Sequence, residues 1–333
     1  MSHWSSLEFC FVLPLSINRE HLAYLHTMKI SILVCAVFYV IISNAYHPPS
    51  PVAFRGPQTL TFIEPTTGQR VTLVGSMHYN PHSIAISREA AKKSSTVLVE
   101  SCYKRWEKTL KNQAKGSWRR NLLDNEMQAA SEIVEEVHGD AARVILGDQA
   151  IDLTNTRMKE TLVDSLKDIV TLRWDRVVDD LKTGYELAIA VPDDRKSEFL
   201  DASDFFSPRL MLGTPASLFR YPAALVLKAP LAGGAIVSTL LFSLLNAGDS
   251  SFLYDDTVGR IFELTESILV TIVEAALLGR TFLIALLAER NVVLAESIRK
   301  ACQQNIEEGR GDGVSAILGM AHVNGVKKLL EEP

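Results

Sequence analysis

The fold is decided by two short stretches near opposite ends of the chain, Val71–Asn80 (VTLVGSMHYN) and Val314–Asn324 (VSAILGMAHVN). Each is an apolar run followed by the pattern Gly-x-x-His-x-Asn. An apolar run of about five residues that ends at glycine is typical of a buried strand, so His78 and His322 each follow a strand end. Open α/β sheets bind their ligands at the carboxyl ends of their strands. The repeat therefore predicts that both imidazoles contribute to one catalytic or metal-binding site.

Two further apolar runs are predicted as strands, and each is followed by a carboxylate. Thr96–Val99 precedes Glu100, and Arg143–Leu146 precedes a glycine and Asp148. Helical patterns separate these runs, and right-handed crossovers make such strands parallel. Residues 58–75 alternate apolar and polar around a turn, which predicts an antiparallel hairpin. The sequence therefore predicts an α/β protein with a central mixed, largely parallel sheet flanked by helices.

The remaining elements are predicted from periodicity and from breaker residues. Thr154 is expected to cap one long helix that ends near Leu181. Its predicted core-facing stripe consists of Leu162, Leu166, Ile169, Leu172, Val177 and Leu181. Four prolines within 191–222 predict a long irregular connection. Residues 260–302 predict two helices or one long bent helix, and Asn324 is expected to cap the last helix.

The composition is that of a globular protein with additional apolar segments. The chain has 333 residues, of which 47% are hydrophobic and 22% charged, and its formal net charge is -5. Nucleic-acid-binding domains carry basic patches, so this acidic balance predicts no nucleic-acid partner. The four cysteines do not form a disulfide framework, and Cys102 and Cys302 are expected to be buried free thiols. Cys102 is also a candidate nucleophile, with a small core residue as the alternative.

Residues 1–45 have the features of a signal or targeting leader. Met28-Lys29 precedes the apolar run Ile30–Ile42, and small residues follow at Ser43 and Ala45. A basic start, an apolar centre and a small-residue cleavage site are typical of secretory signals, and an uncleaved N-terminal anchor is the alternative. We therefore predict targeting to the secretory pathway or to an organelle. The leader and the prolines after it are also similar to bipartite plastid leaders.

The rest of the chain divides into a linker and one predicted domain. Residues 46–56 are a Pro-rich linker, and residues 57–330 form the domain, with an insertion at about 191–260. The insertion contains an added helical apolar segment, 229–248, which has 20 residues without a charge. At about 1.5 Å per residue, this length just spans a hydrocarbon core. Either the segment crosses a membrane, which predicts membrane association, or it is a buried hairpin or helix that covers the sheet.

The strand-end residues suit two kinds of hydrolytic chemistry. Imidazoles and carboxylates bind divalent transition metals such as Mn, Co or Zn, and an open coordination position then activates a water molecule. We place this metal on His78, His322 and Glu289. Glu100 and Asp148 are then catalytic carboxylates, with Glu100 as a further ligand or as the general base. Without a metal, the same histidines suit general acid–base catalysis with a carboxylate to orient them.

Two arginines are candidates for stabilising an oxyanion. Arg290 follows Glu289 and the apolar run Ile284–Ala288, so a helix there can carry it over the edge of the sheet. Arg157 lies in the first turns of the helix after Asp148 and is assigned the same role. The alternative for Arg290 is an internal salt bridge or a solvated helix end.

Five blocks of the sequence, in order, resemble those of the TraB/PrgY family, whose wider group includes TIKI-type peptidases and GumN-like proteins. The blocks are Val74-Gly75-Ser-Met-His78, Glu100-Ser-Cys102-Tyr-Lys-Arg105, Gly147-Asp148-Gln149 with Thr154 and Arg157, Leu287-Ala-Glu289-Arg290-Asn291, and Gly319-Met-Ala-His322-Val-Asn-Gly325-Val326. Two positions depart from the family pattern, because Gln149 replaces an arginine and Asn291 replaces an aspartate. Loss of the arginine charge is expected to reduce activity or to mark a divergent subgroup.

The resemblance implies an EreA/ChaN-like α/β fold with its site at the strand ends. It also implies metal-dependent hydrolysis of a peptide or protein substrate, as in the TIKI-type relatives. Other members of the family resemble membrane-associated proteins that limit a peptide signal. A non-catalytic binder or tether is therefore the rival function. The residues by themselves indicate the site, and the resemblance alone indicates a peptide.

Overall fold

The computed structural model describes most of the predicted domain. The described residues are 54–56, 58–228 and 257–332, together with the single residues 234 and 238. The predicted leader and residues 46–53 of the predicted linker lie outside the described residues. Apart from the two single residues, the apolar segment 229–248 lies outside them as well.

Six strands form one mixed sheet. In chain order they are β1 (Phe54–Gly56), β2 (Thr59–Ile63), β3 (Arg70–Ser76), β4 (Thr96–Val99), β5 (Arg143–Leu146) and β6 (Val314–Gly319). The order across the sheet is β1-β2-β3-β6-β4-β5. The first three strands pair antiparallel, whereas β3, β6, β4 and β5 are parallel neighbours. The predicted α/β class, the mixed sheet and the hairpin are therefore confirmed.

The two copies of the motif lie on adjacent strands in matching register. β3 and β6 pair in parallel, with Ser76 opposite Gly319. β4 lies on the other side of β6, with Val99 opposite Ile317. Because parallel strands end at the same edge of a sheet, the segments that follow β3, β6 and β4 leave the sheet together.

Helices account for most of the other described residues. They are α1 (Pro81–Ala91), α2 (Tyr103–Asn112), α3 (Trp118–Leu122), α4 (Glu126–His138), α5 (Ile151–Val170), α6 (Trp174–Ala188), α7 (Ala202–Phe205), α8 (Pro208–Lys228), α9 (Thr257–Thr281), α10 (Glu289–Glu307) and α11 (Met320–Glu331). A π-helical segment, Phe282–Ala288, joins α9 to α10. The chain divides into two compact units, and residues 257–275 of α9 belong to a different unit from residues 58–228 and 276–332.

The parallel strands are buried on both faces. Leu73 and Leu318 pack on one side in a cluster that includes Leu294 of α10. Val74 and Ile317, their neighbours along the strands, pack on the other side in a second cluster. Successive strand residues point to opposite faces, so both faces must be covered when both sets are apolar. This double burial explains why these strands read as continuous apolar runs in the sequence.

The helix predicted from Thr154 to about Leu181 is wrong in its bounds. α5 begins at Ile151, with Thr154 in its first turn, and ends at Val170. Leu172 then has a left-handed backbone conformation, with a φ of 60°. This conformation cannot continue a right-handed helix, so the chain turns there into α6. Of the predicted core stripe, the exposed members are Leu162, Leu166 and Leu172, and the buried members include Ile169 and Val177.

Residues 191–222 are largely helical, so the predicted irregular connection is wrong. Asp201 and Asp204 form a capping box that begins α7. Pro208 is the first residue of α8, a position that suits proline because the N–H it lacks would have no partner inside the helix. The later prolines lie inside α8, so here tertiary packing outweighs their preference for irregular backbone.

The last helix begins earlier than predicted, and Asn324 does not cap it. α11 has Gly319 as its N-cap and places Asn324 inside the helix. The Asn324 amide binds the backbone of Leu200 instead, accepting from its N–H and donating to its carbonyl, each at 2.9 Å. The second copy of the motif therefore continues from strand into helix without a turn.

α9, the π-helical segment and α10 form one continuous helical run, consistent with the prediction of two helices or one long bent helix over 260–302. Among the described helices, the stretch Ile268–Glu307 is long and apolar enough to cross a membrane by length and composition alone. A buried core helix passes the same test, and α10 is one, because Leu294 and Ile298 are buried. In α9, by contrast, apolar side chains such as Leu269 are exposed.

Candidate functional site

His78 lies in a tight turn between β3 and α1. The N–H of Asn80 donates to the carbonyl of Met77 at 3.0 Å. The Asn80 side chain caps α1 by accepting from the N–H of His82 at 2.9 Å. Tyr79 has a φ of 62°, a left-handed conformation that favours glycine and that is unfavourable for tyrosine. The turn therefore fixes the backbone at His78.

Tyr79 is held in this conformation by its surroundings. Its ring is buried and meets the ring of Tyr221 edge-on, with 6.2 Å between the centroids. Its backbone N–H donates to Glu126 Oε2 at 3.2 Å. Unfavourable backbone conformations persist where the surrounding structure enforces them, and they concentrate at functional sites. These contacts thus hold His78 in place although the backbone conformation of Tyr79 is locally unfavourable.

Glu126, the first residue of α4, orients His78. Its Oε1 lies 2.5 Å from Nδ1 of His78 and 3.4 Å from the hydroxyl of Ser76. An ionised carboxylate only accepts, so Nδ1 of His78 carries a proton and Nε2 faces away from Glu126. Glu126 is buried, whereas the His78 side chain is 39% exposed. A buried carboxylate behind a partly exposed imidazole is the arrangement that acid–base catalysis uses.

The pair shifts the pKa of both groups. Burial lowers the pKa of His78, but the charge and hydrogen bond of Glu126, with a contribution from Glu100, raise it to about 9. Burial raises the pKa of Glu126, but the charge and hydrogen bond of His78 outweigh this effect and hold it below its usual value. At neutral pH the pair is therefore an imidazolium and a carboxylate.

Glu126 is absent from the residues that the sequence predicts for the site. Asn125 caps α4 by accepting from the N–H of Gln128 at 2.9 Å. An acidic residue directly after such a cap is already explained by the helix dipole, so the sequence carries no further signal at Glu126. Its role emerges from the packing of α4 against the sheet.

His322 lies in the first turn of α11 and is buried. Its Nδ1 is 2.7 Å from Oδ1 of Asn291, and its Nε2 is 3.4 Å from Oε1 of Glu100. The amide oxygen only accepts, so Nδ1 carries a proton in this orientation of the amide. Within the described part of the chain, Nδ2 of Asn291 is buried without a hydrogen-bond partner. The second histidine thus meets a neutral amide where the first meets a carboxylate.

Glu100 lies directly after β4, and both of its carboxylate oxygens are bound. Oε2 accepts from the N–H of Gly319 at 2.5 Å, and Oε1 accepts from Nη2 of Arg290. Burial raises the pKa of Glu100, but the charge and hydrogen bond of His322, with the charges of Arg290 and His78, hold it well below its usual range. Glu100 is therefore a carboxylate that its neighbours neutralise.

Arg290, near the start of α10, connects Glu100 to Asp148. Its Nε and Nη2 donate to the two oxygens of Asp148 at 3.0 Å and 2.6 Å. Arg105 also donates to Asp148. Burial lowers the pKa of Arg290, but the charges and hydrogen bonds of Glu100 and Asp148 raise it above its ordinary value. These contacts match the internal salt bridge that the sequence left open, and the oxyanion role stays a prediction.

The two imidazoles approach a common point beside Gly319. A methyl group added to this glycine would lie 3.2 Å from Glu100 Oε2, 3.6 Å from His322 Cδ2 and 4.0 Å from His78 Nε2. The lack of a side chain therefore leaves the space in which these groups meet. The structure thus brings together His78, Glu100 and His322, and Arg290 joins Asp148 to them.

The other two predicted site residues lie apart from this group. Arg157 is 50% exposed and pairs with Glu160 at 3.0 Å and with Glu289 at 3.4 Å. Glu289 is therefore in contact with Arg157, whereas Arg290, the next residue along the chain, faces the sheet. Gln149 donates to the hydroxyl of Thr154 at 3.0 Å, at the start of α5.

The donor atoms fit the predicted metal incompletely. The part of the chain that the structure describes contains no group of three or more His, Cys, Asp or Glu side chains suited to a metal ion. The Nε2 atoms of His78 and His322 are suitable metal ligands. The oxygens of Glu100, however, already accept hydrogen bonds from Arg290 and from the backbone N–H of Gly319. A guanidinium at this place also opposes a second cation. A Mn, Co or Zn site on His78, His322 and Glu289 stays a prediction.

Both cysteines of the described chain are free and buried, as predicted. Burial raises the pKa of Cys102, but the backbone N–H groups of Arg105 and Ile151 and the Arg105 guanidinium lower it below its ordinary value. Burial raises the pKa of Cys302 to about 12. Cys102 is a near neighbour of Glu100 in sequence and occupies the N-cap position of α2, where its side chain makes no capping hydrogen bond.

Comparison of the sequence and the structure with protein-family models, curated proteins and solved structures gives no match. The likeness to the TraB/PrgY blocks therefore remains a resemblance of motifs. Any function proposed for this chain therefore depends on the geometry of the site.

Proposed function

We propose that this chain is a TraB-like hydrolase in which His78 and Glu126 form an acid–base pair. Glu100, Arg290 and His322 form a charged network beside the pair. The observation that carries the proposal is the contact of buried Glu126 with Nδ1 of partly exposed His78, because it leaves Nε2 to meet a substrate. A peptide or protein substrate rests on the motif resemblance.

In this proposal His78 acts through Nε2. The neutral imidazole removes a proton from water, and the water oxygen attacks the carbonyl carbon of the scissile bond. Glu126 stabilises the imidazolium that forms, and this imidazolium then returns the proton to the leaving amine or alkoxide. The positive charge of Arg290 favours the negative charge that develops on the carbonyl oxygen. Since the pKa of His78 is about 9, the rate is expected to rise with pH up to that value.

The test compares three variants on a library of peptides and esters. His78→Asn and Glu126→Gln remove the two members of the pair, and His138→Gln changes a half-buried histidine at the end of α4 as the matched control. A positioned acid–base group contributes about 100-fold or more, so we expect His78→Asn to lose at least that much and His138→Gln to lose nothing. Full activity in His78→Asn would overturn the proposal.

Metal analysis of the same samples separates the two chemistries. Activity that survives a chelator supports acid–base catalysis. About one Mn, Co or Zn per chain, lost in His78→Asn and in His322→Ala, would instead support the predicted metal site.

The second candidate is a membrane-associated binder or tether. It is favoured by the stretch Ile268–Glu307, which has the length and composition of a membrane span. The leader 1–45 and targeting to the secretory pathway or an organelle are consistent with either function. Wild-type protein that cleaves none of the library, yet cofractionates with membranes, would favour the binder.

A further inference from the structure

In its C-terminal half, α5 packs two polar residues inward while several apolar side chains are exposed. Its buried side chains are Thr154, Ser165, Asp168 and Ile169. Its exposed apolar side chains include Leu162, Val163, Leu166 and Val170. Residues four apart lie on the same side of a helix, so these form one apolar stripe. A surface helix normally has the reverse arrangement.

The orientation of α5 is set by Arg280, a buried residue in the last turn of α9. Nη1 of Arg280 lies 2.8 Å from Asp168 Oδ2 and 3.4 Å from the hydroxyl of Ser165. Nη2 binds Asp180 of α6. A buried guanidinium needs counter-charges and acceptors. α5 must therefore present Ser165 and Asp168 inward, and its apolar stripe faces outward as a consequence.

The turn from α5 to α6 extends the apolar surface. Leu172 is 77% exposed and adopts a left-handed backbone conformation, so both its backbone and its exposure are unfavourable in water. Trp174, the first residue of α6, is partly exposed. We call this surface the α5–α6 corner, which consists of Leu162, Val163, Leu166, Val170, Leu172 and Trp174.

Charged side chains surround the corner. Lys167, Arg173 and Arg176 are exposed. Asp164 and Asp175 are exposed as well and balance part of this charge, so apolar contact has to supply most of any binding. Apolar side chains with a tryptophan and with lysine or arginine at their margin are typical of surfaces that lie in the headgroup region of a bilayer.

We propose that the α5–α6 corner inserts into the headgroup region of a lipid bilayer. Leu278 and Phe282, in the helical run that carries Arg280, are also exposed apolar residues. The same helical run contains the stretch with the length and composition of a membrane span, which favours lipid over a second copy of the chain. Lys167 and Arg173 at the margin complement lipid phosphates, whereas Nη1 of Arg176 lies 3.6 Å from Oδ1 of Asp168. The inference is independent of the hydrolase proposal.

The test places a fluorophore on the corner of the full chain in vesicles of phosphatidylcholine and phosphatidylserine. Cys10 and Cys35 are replaced by serine in every sample. The buried thiols of the described domain do not compete for the label. An environment-sensitive dye is attached to Leu166→Cys or to Leu172→Cys. Val137→Cys on α4 is the matched control, because Val137 is also an exposed aliphatic residue on a helix.

Labels on the corner are expected to emit at shorter wavelength in vesicles and to be quenched by brominated lipids. Quenching should be strongest for bromines about 5–10 Å below the headgroups, and the control label should not respond. Equal quenching at all three positions, or at none, would overturn the proposal. So would a wavelength shift without lipid. If a wavelength shift occurs without lipid and grows with protein concentration, the corner binds a second copy of the chain. If that shift is independent of protein concentration, the corner binds another segment of the same chain.

Discussion

Replacing Glu126 with glutamine is expected to return His78 to the behaviour of an ordinary histidine. The substitution keeps the shape of the side chain and an acceptor for Nδ1, but it removes the negative charge. In the wild-type protein that charge and its hydrogen bond outweigh burial and raise the pKa of His78 from 6.5 to about 9. Without the charge, the main cause of the raised value is gone, and the pKa of His78 should fall toward its ordinary value of 6.5.

The same shift predicts how stability depends on pH. A pKa that is raised in the folded state stabilises the protein fully below the unfolded-state value, and this contribution is lost as the pH rises through the folded-state value. For His78 the loss runs from 6.5 to about 9. One pKa unit corresponds to about 1.4 kcal/mol. Because His78 is 39% exposed, solvent screens the pair. We therefore expect about 1–2 kcal/mol rather than the full conversion.

Two measurements check this prediction. NMR titration of the imidazole Cε1–H signals gives the pKa of His78, with His138→Gln to help assignment. Urea unfolding at about pH 6 and about pH 10 gives the free energy of unfolding, and Glu126→Gln should be less stable than wild type at the lower pH alone. A wild-type His78 that titrates near 6.5, or a stability difference that is the same at both pH values, would refute the reasoning.

Two glycine substitutions give further predictions. Gly319→Ala would place a methyl group 3.2 Å from Glu100 Oε2, so the carboxylate must shift. We expect the kcat/KM for hydrolysis to fall about 10–100-fold as a result. An unchanged kcat/KM would mean that Glu100 has no part in the site. Gly325→Ala would collide with the Asn291 amide and should lower the free energy of unfolding by about 1–3 kcal/mol. Gly311→Ala meets no atom within 4 Å and is the control, so equal urea midpoints for these last two variants would contradict the packing argument.

The strand ends of the site could be predicted because they depend on local sequence. An apolar run closed by a glycine forms a buried strand, and the residue after it lies at the carboxyl edge of the sheet. In the structure His322 contacts Glu100, and Arg290 joins Glu100 to Asp148. The pairing of β3 with β6 then places the two Gly-x-x-His copies side by side.

The partners of these residues could not be predicted, because they depend on how helices are rotated. Neighbouring helical residues point about 100° apart, so Glu289 faces Arg157 while Arg290 faces the sheet. Glu126 reads as an ordinary first-turn acid after a helix cap, and its contact with His78 exists only once α4 is packed.

α5 separates the two kinds of information most sharply. By itself the sequence determined that this segment is helical and that it has an apolar side and a polar side. Only the tertiary structure decided which side is packed, because Arg280 is buried against Asp168 and Ser165. Leaving a buried guanidinium without counter-charges is more unfavourable than exposing a few aliphatic side chains, so the polar side turns inward.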